Sequence, residues 1–507
     1  MRTIGDIVRL GAKRRPTHEA VVMGERRLTY ADLEESSGLI ARALVAAGVA
    51  SGERVAVMAE NCVEFMEVAF GVLRTGAVLA PLNFRYGPNE LDYVLRDVSP
   101  SVVFAGPGYV DAVTEAISRC ALPIDVVALE GTGPRSLAGL RSSATGEVAL
   151  PAVDPSSVAT ILYTSGTTGH PKGVLATHDA TMRLLPMYGV EGGLQRDDVM
   201  LVCMPLFHGG GLVIQALAAL FFGATVVLDG RGFDPEKVLA LVRAEKVSIT
   251  LWAPTMLAIL AASGQTPSEG IRTIWYGSSS ITPAVLSESR RMFPAAGFFQ
   301  WYGTTEATSI AVLRPEDHDA HPGATGREIL TADVRIIDFD SNDVPVGGTG
   351  EVVLAATGTV MVGYFNNPAA TEATIRDGWM YTGDIAEVHE DGYFTIIGRG
   401  SDMIVTGGEN VYPAEIEGVL ADHPLVRDAA VFGVPDEVYG QRVAAAVVVT
   451  EHIDAQELQK YIRARIARYK VPRELHVLDA LPRNASGKVL RRRLVERFTE
   501  APTEGRP

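Results

Sequence analysis

Between Tyr163 and Gly173 the chain reads YTSGTTGHPKG, directly after the apolar, strand-like SVATIL, and no other stretch restricts its fold and chemistry so strongly. Small residues at Ser165, Gly166, Gly169 and Gly173 let the backbone turn tightly and bring its N–H groups close to a ligand. Thr164, Thr167 and Thr168 add hydroxyl donors, and Lys172 adds a positive charge. Together they suit a polyphosphate. The spacing is not that of an ordinary P-loop, GxxxxGK followed by Ser or Thr, because here the lysine precedes a glycine. By composition alone a glycine-rich surface turn accounts for the run equally well, so the remainder of the chain has to decide.

That remainder is ample. The chain has 507 residues, 47% hydrophobic and 21% charged, which is room for several domains of ordinary size. Its 45 basic and 61 acidic residues give a formal net charge of −16, which disfavours nucleic acid and acidic membrane surfaces as partners. Cys62, Cys120 and Cys203 are odd in number and far apart, so they form neither a disulfide framework nor a metal spacing and are expected in the core of a protein from a reducing compartment. The start, MRTIGDIVRLGAKRRP, has an amphipathic helix pattern without an apolar signal region, and no window of about 18 apolar residues occurs. A soluble, cytoplasmic protein with no membrane span is expected.

Up to about residue 320, helical and strand patterns alternate: LTYADLEESSGLIARALVAAGV ends on Gly48, RVAVMA is a buried strand, and FMEVAFGVLRTGAVLAPLN runs from helix into strand. Such alternation predicts an α/β fold with mostly parallel sheets covered by helices. From ADVRIIDFDSNDVPVGGTGEVVLAA onward, period-two strands separated by Asp/Asn/Gly turns predict a small antiparallel, barrel-like subdomain. IIGRGSDMIVTGGENVYPAEIE then has linker chemistry, with glycines at 398, 400, 407 and 408. The last stretch predicts a small α+β domain with strands AAVFGVP and AAAVVV, a helix AQELQKYIRARIARY and a basic end. The expected division is an N-terminal domain over 1–399, a hinge over 400–402 and a mobile C-terminal domain over 403–507.

Six motifs in order, YTSGTTGHPKG, PLFH (205–208), YGTTE (302–306), GWMYTGD (378–384), the 396–417 stretch and NASGKVLRRRL (484–494), resemble the adenylate-forming superfamily of acyl-CoA synthetases, luciferases and adenylation domains. The nearest likeness is to acid:CoA ligases. The resemblance implies ATP, Mg²⁺ and CoA as cofactors and a small-molecule carboxylic acid as substrate; a homodimer is compatible with it. In such enzymes a carboxylate attacks the α-phosphate of ATP and expels pyrophosphate, so positioning and charge screening replace an enzymic nucleophile.

The resemblance assigns the β and γ phosphates to Thr164, Ser165, Gly166, Thr167, Thr168 and Lys172, with Thr168 also catalytic. It assigns Mg²⁺ to Glu306, a hard oxygen ligand of the kind that cation takes once or twice beside phosphates and water. Gly277, Ser278, Ser279 and Tyr302 match the positions that cradle adenine, and Gly303, Thr304 and Thr305 complete the motif near the α-phosphate. Asp384 would accept both ribose hydroxyls, and Arg399, in the 396–417 motif just before the hinge, is a further cofactor-binding candidate. Lys488 would bridge the substrate carboxylate and the α-phosphate. A rotation at the hinge residue, Ser401 where relatives usually have Asp or Lys, would then bring the 403–412 loop in, with Gly407 and Gly408 lining the pantetheine tunnel. Tyr469, Lys470 and Arg473 fall where relatives meet the CoA nucleotide, while Arg491 to Arg493 are expected to be a solvated helix face.

His208, counted with Lys488, Thr168 and Glu306 among the catalytic residues that the resemblance implies, would sit at the mouth of the acyl pocket and help to gate it, where amino-acid-activating relatives carry an aspartate. Gly209, Gly210 and Gly211 either widen the pocket for a bulky acid or satisfy a loop that needs positive φ. Trp252, Trp301 and Tyr276 are further candidates for its wall and point to an aryl, fatty or bulky apolar acid. The function implied is an acid:CoA ligase that forms acyl-AMP and then acyl-CoA. One alternative is an adenylating enzyme that serves a carrier protein or partner enzyme. Another, from a different class, is an inactive nucleotide-binding module, which the intact Lys172, Glu306, Asp384, Arg399 and Lys488 oppose.

Overall fold

The helix Tyr30–Ala46 starts at a capping box: the Thr29 hydroxyl accepts from the Asp32 N–H while the Asp32 carboxylate accepts from the Thr29 N–H. Its apolar stripe of Leu33, Ile40 and Leu44 is buried with the helix Val63–Leu73, of which only the glutamate at position 64 escapes burial. These belong to a computed structural model that describes all residues except 1, 145–147, 165–169, 231, 266–269, 407–408, 437, 484–488 and 500–507. The described chain divides into two compact units, one made of 1–281, 285–334 and 354–381, the other of 282–284, 335–353 and 382–507.

The first unit contains two large, mostly parallel sheets, as the alternation predicts. One has seven strands in the order Gly363–Tyr364, Lys172–Thr177, Val158–Thr164, Val78–Leu82, Arg54–Met58, Val102–Ala105 and Asp125–Ala128; its first three strands are antiparallel to one another and the rest parallel. The other has nine, with Gly297–Tyr302, Thr273–Gly277, Ile249–Trp252, Val199–Val202, Thr225–Leu228 and Glu19–Met23 running parallel and antiparallel strands at both edges. Valine and isoleucine dominate these strands because both faces are covered by helices. The free cysteines meet expectation: Cys120 is buried, while Cys62 and Cys203 are half-buried and packed against core clusters.

The antiparallel region is a five-stranded sheet of Val334–Ile337, Thr349–Ala355, Trp379–Val388 and Ile375–Arg376, with Phe394–Arg399 also paired to Trp379–Val388. The chain passes between the two units inside its strands. In the second unit, residues 382–399 group with the C-terminal segment: Tyr412 lies beside Gly398, and the region expected to be a hinge forms a 3-10 turn, Gly400–Asp402. The C-terminal sheet joins Val426–Asp436 to Gly440–Val449 as a long antiparallel pair, with Glu474–Val477 parallel to the latter.

Two sequence expectations change here. The helix expected over 455–469 ends at Arg463, where Ala464 turns back onto Lys460 and Ile466 packs into the core ahead of Pro472. Arg491 is not on a solvated face. Its guanidinium donates to Glu417 at 2.8 and 3.0 Å, to Asp402 at 3.1 Å and to the Val431 carbonyl at 3.1 Å, whereas Arg492 is open to solvent.

Candidate functional site

In open parallel sheets ligands collect beyond the carboxyl ends of the strands. Thr164, Gly277 and Tyr302 are the last residues of their strands, and Gly277 pairs with Trp301, so the 277–279 and 302–306 segments leave the same sheet edge side by side. The 302–306 turn is tight. A Cβ at Gly303 would come within 2.0 Å of the Thr308 carbonyl, and Thr308 itself has φ +58. Ser278, exposed, is held at φ +69 with its hydroxyl donating to the Gly277 carbonyl. A serine in this region costs about 1 kcal/mol, strain of a kind that collects at ligand clamps. The buried Thr304 hydroxyl has no hydrogen-bond partner among the described residues, and an incoming oxygen would supply one.

The 163–173 motif is a hairpin crossing, with Thr164 opposite Lys172 and the Thr164 hydroxyl donating to the Lys172 carbonyl at 3.4 Å. Residues 165–169, which carry the Ser165, Gly166, Thr167 and Thr168 assignments, lie outside the described residues. Both ends of that segment meet one helix, Pro88–Val98. The Tyr163 hydroxyl donates to Asp97 Oδ2 at 2.6 Å, and His170 stacks on Tyr93 with ring centroids 4.3 Å apart. Tyr93 and Asp97 are four apart and share a helix face. Burial and the Asp97 carboxylate push the Tyr163 phenol well above its ordinary range.

Lys172 and Glu306 meet at a residue that no sequence motif singled out. Lys172 Nζ lies 5.1 Å from the ring centroid of Tyr364, whose hydroxyl donates to Glu306 Oε1 at 2.6 Å. Tyr364 pairs with Val174, two residues along from Lys172 on the same strand face, while the Met361 N–H donates to the Glu306 carbonyl at 2.7 Å. A buried tyrosine needs a partner for its hydroxyl, but nothing in the spacing marks which of many carboxylates will accept. Among the described residues no group of three His, Cys, Asp or Glu could cage a metal. A lone half-buried carboxylate instead fits a magnesium ion carried in on a triphosphate.

His208 precedes a π-helix, Gly210–Leu217, a rare geometry that is frequent at functional sites. Its Nδ1 accepts from the Gly210 N–H at 3.3 Å, and burial lowers its pKa, so the ring is neutral at pH 7. None of the three following glycines has positive φ. Gly211 is required by packing, since a Cβ there would stand 2.3 Å from the Pro205 carbonyl; those at Gly209 and Gly210 would meet Leu162, His208, Met204 and Leu251 at 3.6 to 3.8 Å. The aromatic candidates are core instead. Trp252 is fully buried against Phe293, Trp301 packs with Tyr188 and Trp275, and the Tyr276 hydroxyl meets Gln300 at 2.9 Å and His318 at 3.0 Å. Large rings at these positions fill the space under the strand ends.

In the second unit Asp384 is buried opposite Arg399, which reaches its Oδ1 through Nε at 2.8 Å, and the Asp384 N–H donates to the Thr382 hydroxyl at 3.0 Å. Ser401 is exposed, its hydroxyl 3.4 Å from Asp402 Oδ1. Lys470 is tied to Glu415 at 2.7 Å, Arg473 stacks on Tyr439 at 3.8 Å, and Tyr469 is exposed. Gly407, Gly408 and Lys488 lie outside the described residues.

Residues 8–365 match the family model of the AMP-binding enzyme, and residues 415–488 that of the AMP-binding enzyme C-terminal domain. The chain is 37% identical over 493 residues to the feruloyl-CoA synthase of an Amycolatopsis species, covering 96% of its own length and 97% of the relative's. It is 35% identical over 512 residues to the fatty acid–acyl-carrier-protein ligase of Streptomyces coeruleorubidus, covering 98% and 97%. Among solved structures, the o-succinylbenzoate coenzyme A synthetase of Bacillus subtilis in complex with ATP and a magnesium ion matches with a TM-score of 0.86 at 30% identity, over 96% of this chain and 98% of that one.

Proposed function

Because the chain belongs to the AMP-binding enzyme family and is an AMP-forming acid:CoA ligase of its acyl-CoA synthetase branch, we propose that it activates an aryl, fatty or otherwise bulky apolar acid at the strand ends around Lys172, Tyr364 and Glu306. The observation that carries this reading is that a lysine and a carboxylate converge on one tyrosine in the same unit as the neutral His208 and the glycines that follow it.

The substrate carboxylate attacks the α-phosphorus of ATP; the new O–P bond forms as the bond to the β-phosphate breaks, and pyrophosphate leaves. Lys172, with the hydroxyls of 164–168, holds the β and γ phosphates in line. Mg²⁺ held by Glu306 would neutralise charge on the phosphate oxygens. The 277–279 segment and Tyr302 form the adenine wall, Thr304 and Thr305 serve the α-phosphate, and Asp384, fixed by Arg399, takes the ribose hydroxyls. Lys488 bridges the carboxylate and the α-phosphate. The CoA thiol then attacks the acyl carbon and AMP departs, after a rotation at Ser401 that brings Gly407 and Gly408 to the pantetheine.

A neutral His208 beside Gly209, Gly210, Leu162, Met204 and Leu251 offers no charge to pair with an amine and little bulk near the reacting end. That favours an apolar acyl group. The carrier-protein relative keeps a second acceptor in view. The test is AMP and pyrophosphate release over aryl, medium-chain, long-chain and polycyclic acids, with and without CoA, with products identified by mass. Acyl-CoA from an apolar acid is the expected result. Acyl-AMP that accumulates regardless of CoA moves the acceptor to a carrier protein, and activation of amino acids alone overturns the pocket reading.

A further inference from the structure

We propose that Tyr364 is a positioning residue for the nucleotide, orienting the Glu306 carboxylate through its hydroxyl and seating the Lys172 ammonium on its ring; this rests on the roles given above to Lys172 and Glu306. Tyr364 is 8% exposed, and its hydroxyl donates to Glu306 Oε1 at 2.6 Å, a short, charge-assisted bond. The carboxylate has lone pairs on both oxygens, so one accepted bond fixes its orientation and leaves Oε2 uncommitted to the tyrosine. Lys172 Nζ is 5.1 Å from the ring centroid, within cation–π range. No ion pair joins Lys172 to Glu306 among the described residues.

That separation has a chemical consequence. A lysine and a glutamate in direct contact would satisfy each other, leaving the first a poorer partner for phosphate and the second a poorer ligand for a cation. An aromatic ring between them holds the cation by its face and the anion by its hydroxyl. Tyr364 is itself fixed on both sides, paired with Val174 and with its N–H donating to the Thr371 hydroxyl at 2.9 Å. Phenylalanine would keep the lysine seat and lose the carboxylate contact; leucine would lose both.

Two variants therefore separate the two roles, read by calorimetric ATP binding with and without Mg²⁺ and by KM and kcat for pyrophosphate release. Tyr364→Phe should weaken Mg²⁺-ATP binding about tenfold, the worth of one hydrogen bond to a charged group, with metal-free ATP and the KM for the acid unchanged. Tyr364→Leu should weaken metal-free ATP binding as well, by about fivefold. In a Glu306→Gln background, Tyr364→Phe should add nothing. Both Tyr364 variants lack the hydroxyl, so either one that keeps its thermal midpoint decides the metal arm. Wild-type Mg²⁺ dependence in them, while Glu306→Gln loses it, overturns the proposal; wild-type Mg²⁺ dependence in Glu306→Gln removes instead the role of Glu306 on which it rests.

Discussion

His178 is fully buried at the start of a short helix, where its Nδ1 accepts from the Ile4 N–H at 3.3 Å and its Nε2 has no partner among the described residues. Burial lowers its pKa from 6.5 to about 4, only partly opposed by Asp6. The unfolded chain therefore takes up the proton first as pH falls. Stability from the neutral ring is complete above pH 6.5 and is lost between pH 6.5 and 4, by on the order of 3 kcal/mol over the interval. His178→Asn keeps an acceptor for Ile4 and does not titrate, so urea midpoints measured between pH 5 and 7.5 should slope downward for the wild type and lie nearly flat for the variant. Equal slopes would mean that other groups carry the acid sensitivity. Lys172 stood out in the sequence as the charge closing a run of hydroxyls and glycines, and Glu306 through the resemblance of YGTTE to a family motif. Tyr364 and His178 did not, since their roles arise from contacts 58 and 174 residues away in sequence that no local pattern encodes.

Two elements shape the site without contributing reacting groups. The π-helix Gly210–Leu217 can approach the Met204–Pro205 backbone only because residue 211 has no side chain, its Cβ position lying 2.5 and 2.3 Å from those carbonyls. Gly211→Ala should cost about 1–3 kcal/mol in denaturant titration, an overpacking penalty. Gly209→Ala should be neutral within about 0.5 kcal/mol, since its nearest neighbour is 3.8 Å away. A glycine triplet in a sequence does not reveal which member is packed and which leaves room; the backbone approach at Gly211 distinguishes them. The helix Pro88–Val98 is the second element, with Tyr93 and Asp97 engaging His170 and Tyr163 at the two ends of the 165–169 segment. Asp97→Ala strands the Tyr163 hydroxyl, so it should cost about 1–3 kcal/mol and raise the KM for ATP while leaving that for the acid unchanged. Asp97→Asn, still an acceptor, should recover most of both, and no recovery would assign the loss to the altered helix rather than to the bond.

At the scale of the molecule the sequence was most legible where burial is periodic: the parallel sheets, the helix Tyr30–Ala46 and the strands Val426–Asp436 and Gly440–Val449 follow from their apolar patterns. The two half-reactions make different electrostatic demands on such a chain. Adenylation brings a carboxylate against a phosphate, two anions, and a lysine between them lowers that barrier directly. Thioester formation sets a thiol on a neutral acyl carbon with AMP departing, and needs no cation at that point. Lys488→Ala should therefore lower acid-dependent pyrophosphate exchange by about 100-fold or more, the usual loss when a charge-stabilising donor is removed. Conversion of supplied acyl-AMP to acyl-CoA should stay within a few-fold of wild type. The first figure alone would not distinguish a catalytic lysine from a damaged unit; the second does, because damage would slow both. Equal loss in the two assays would remove the basis for assigning Lys488 to adenylation alone and, with it, the argument from this residue for a rotation between the two reactions.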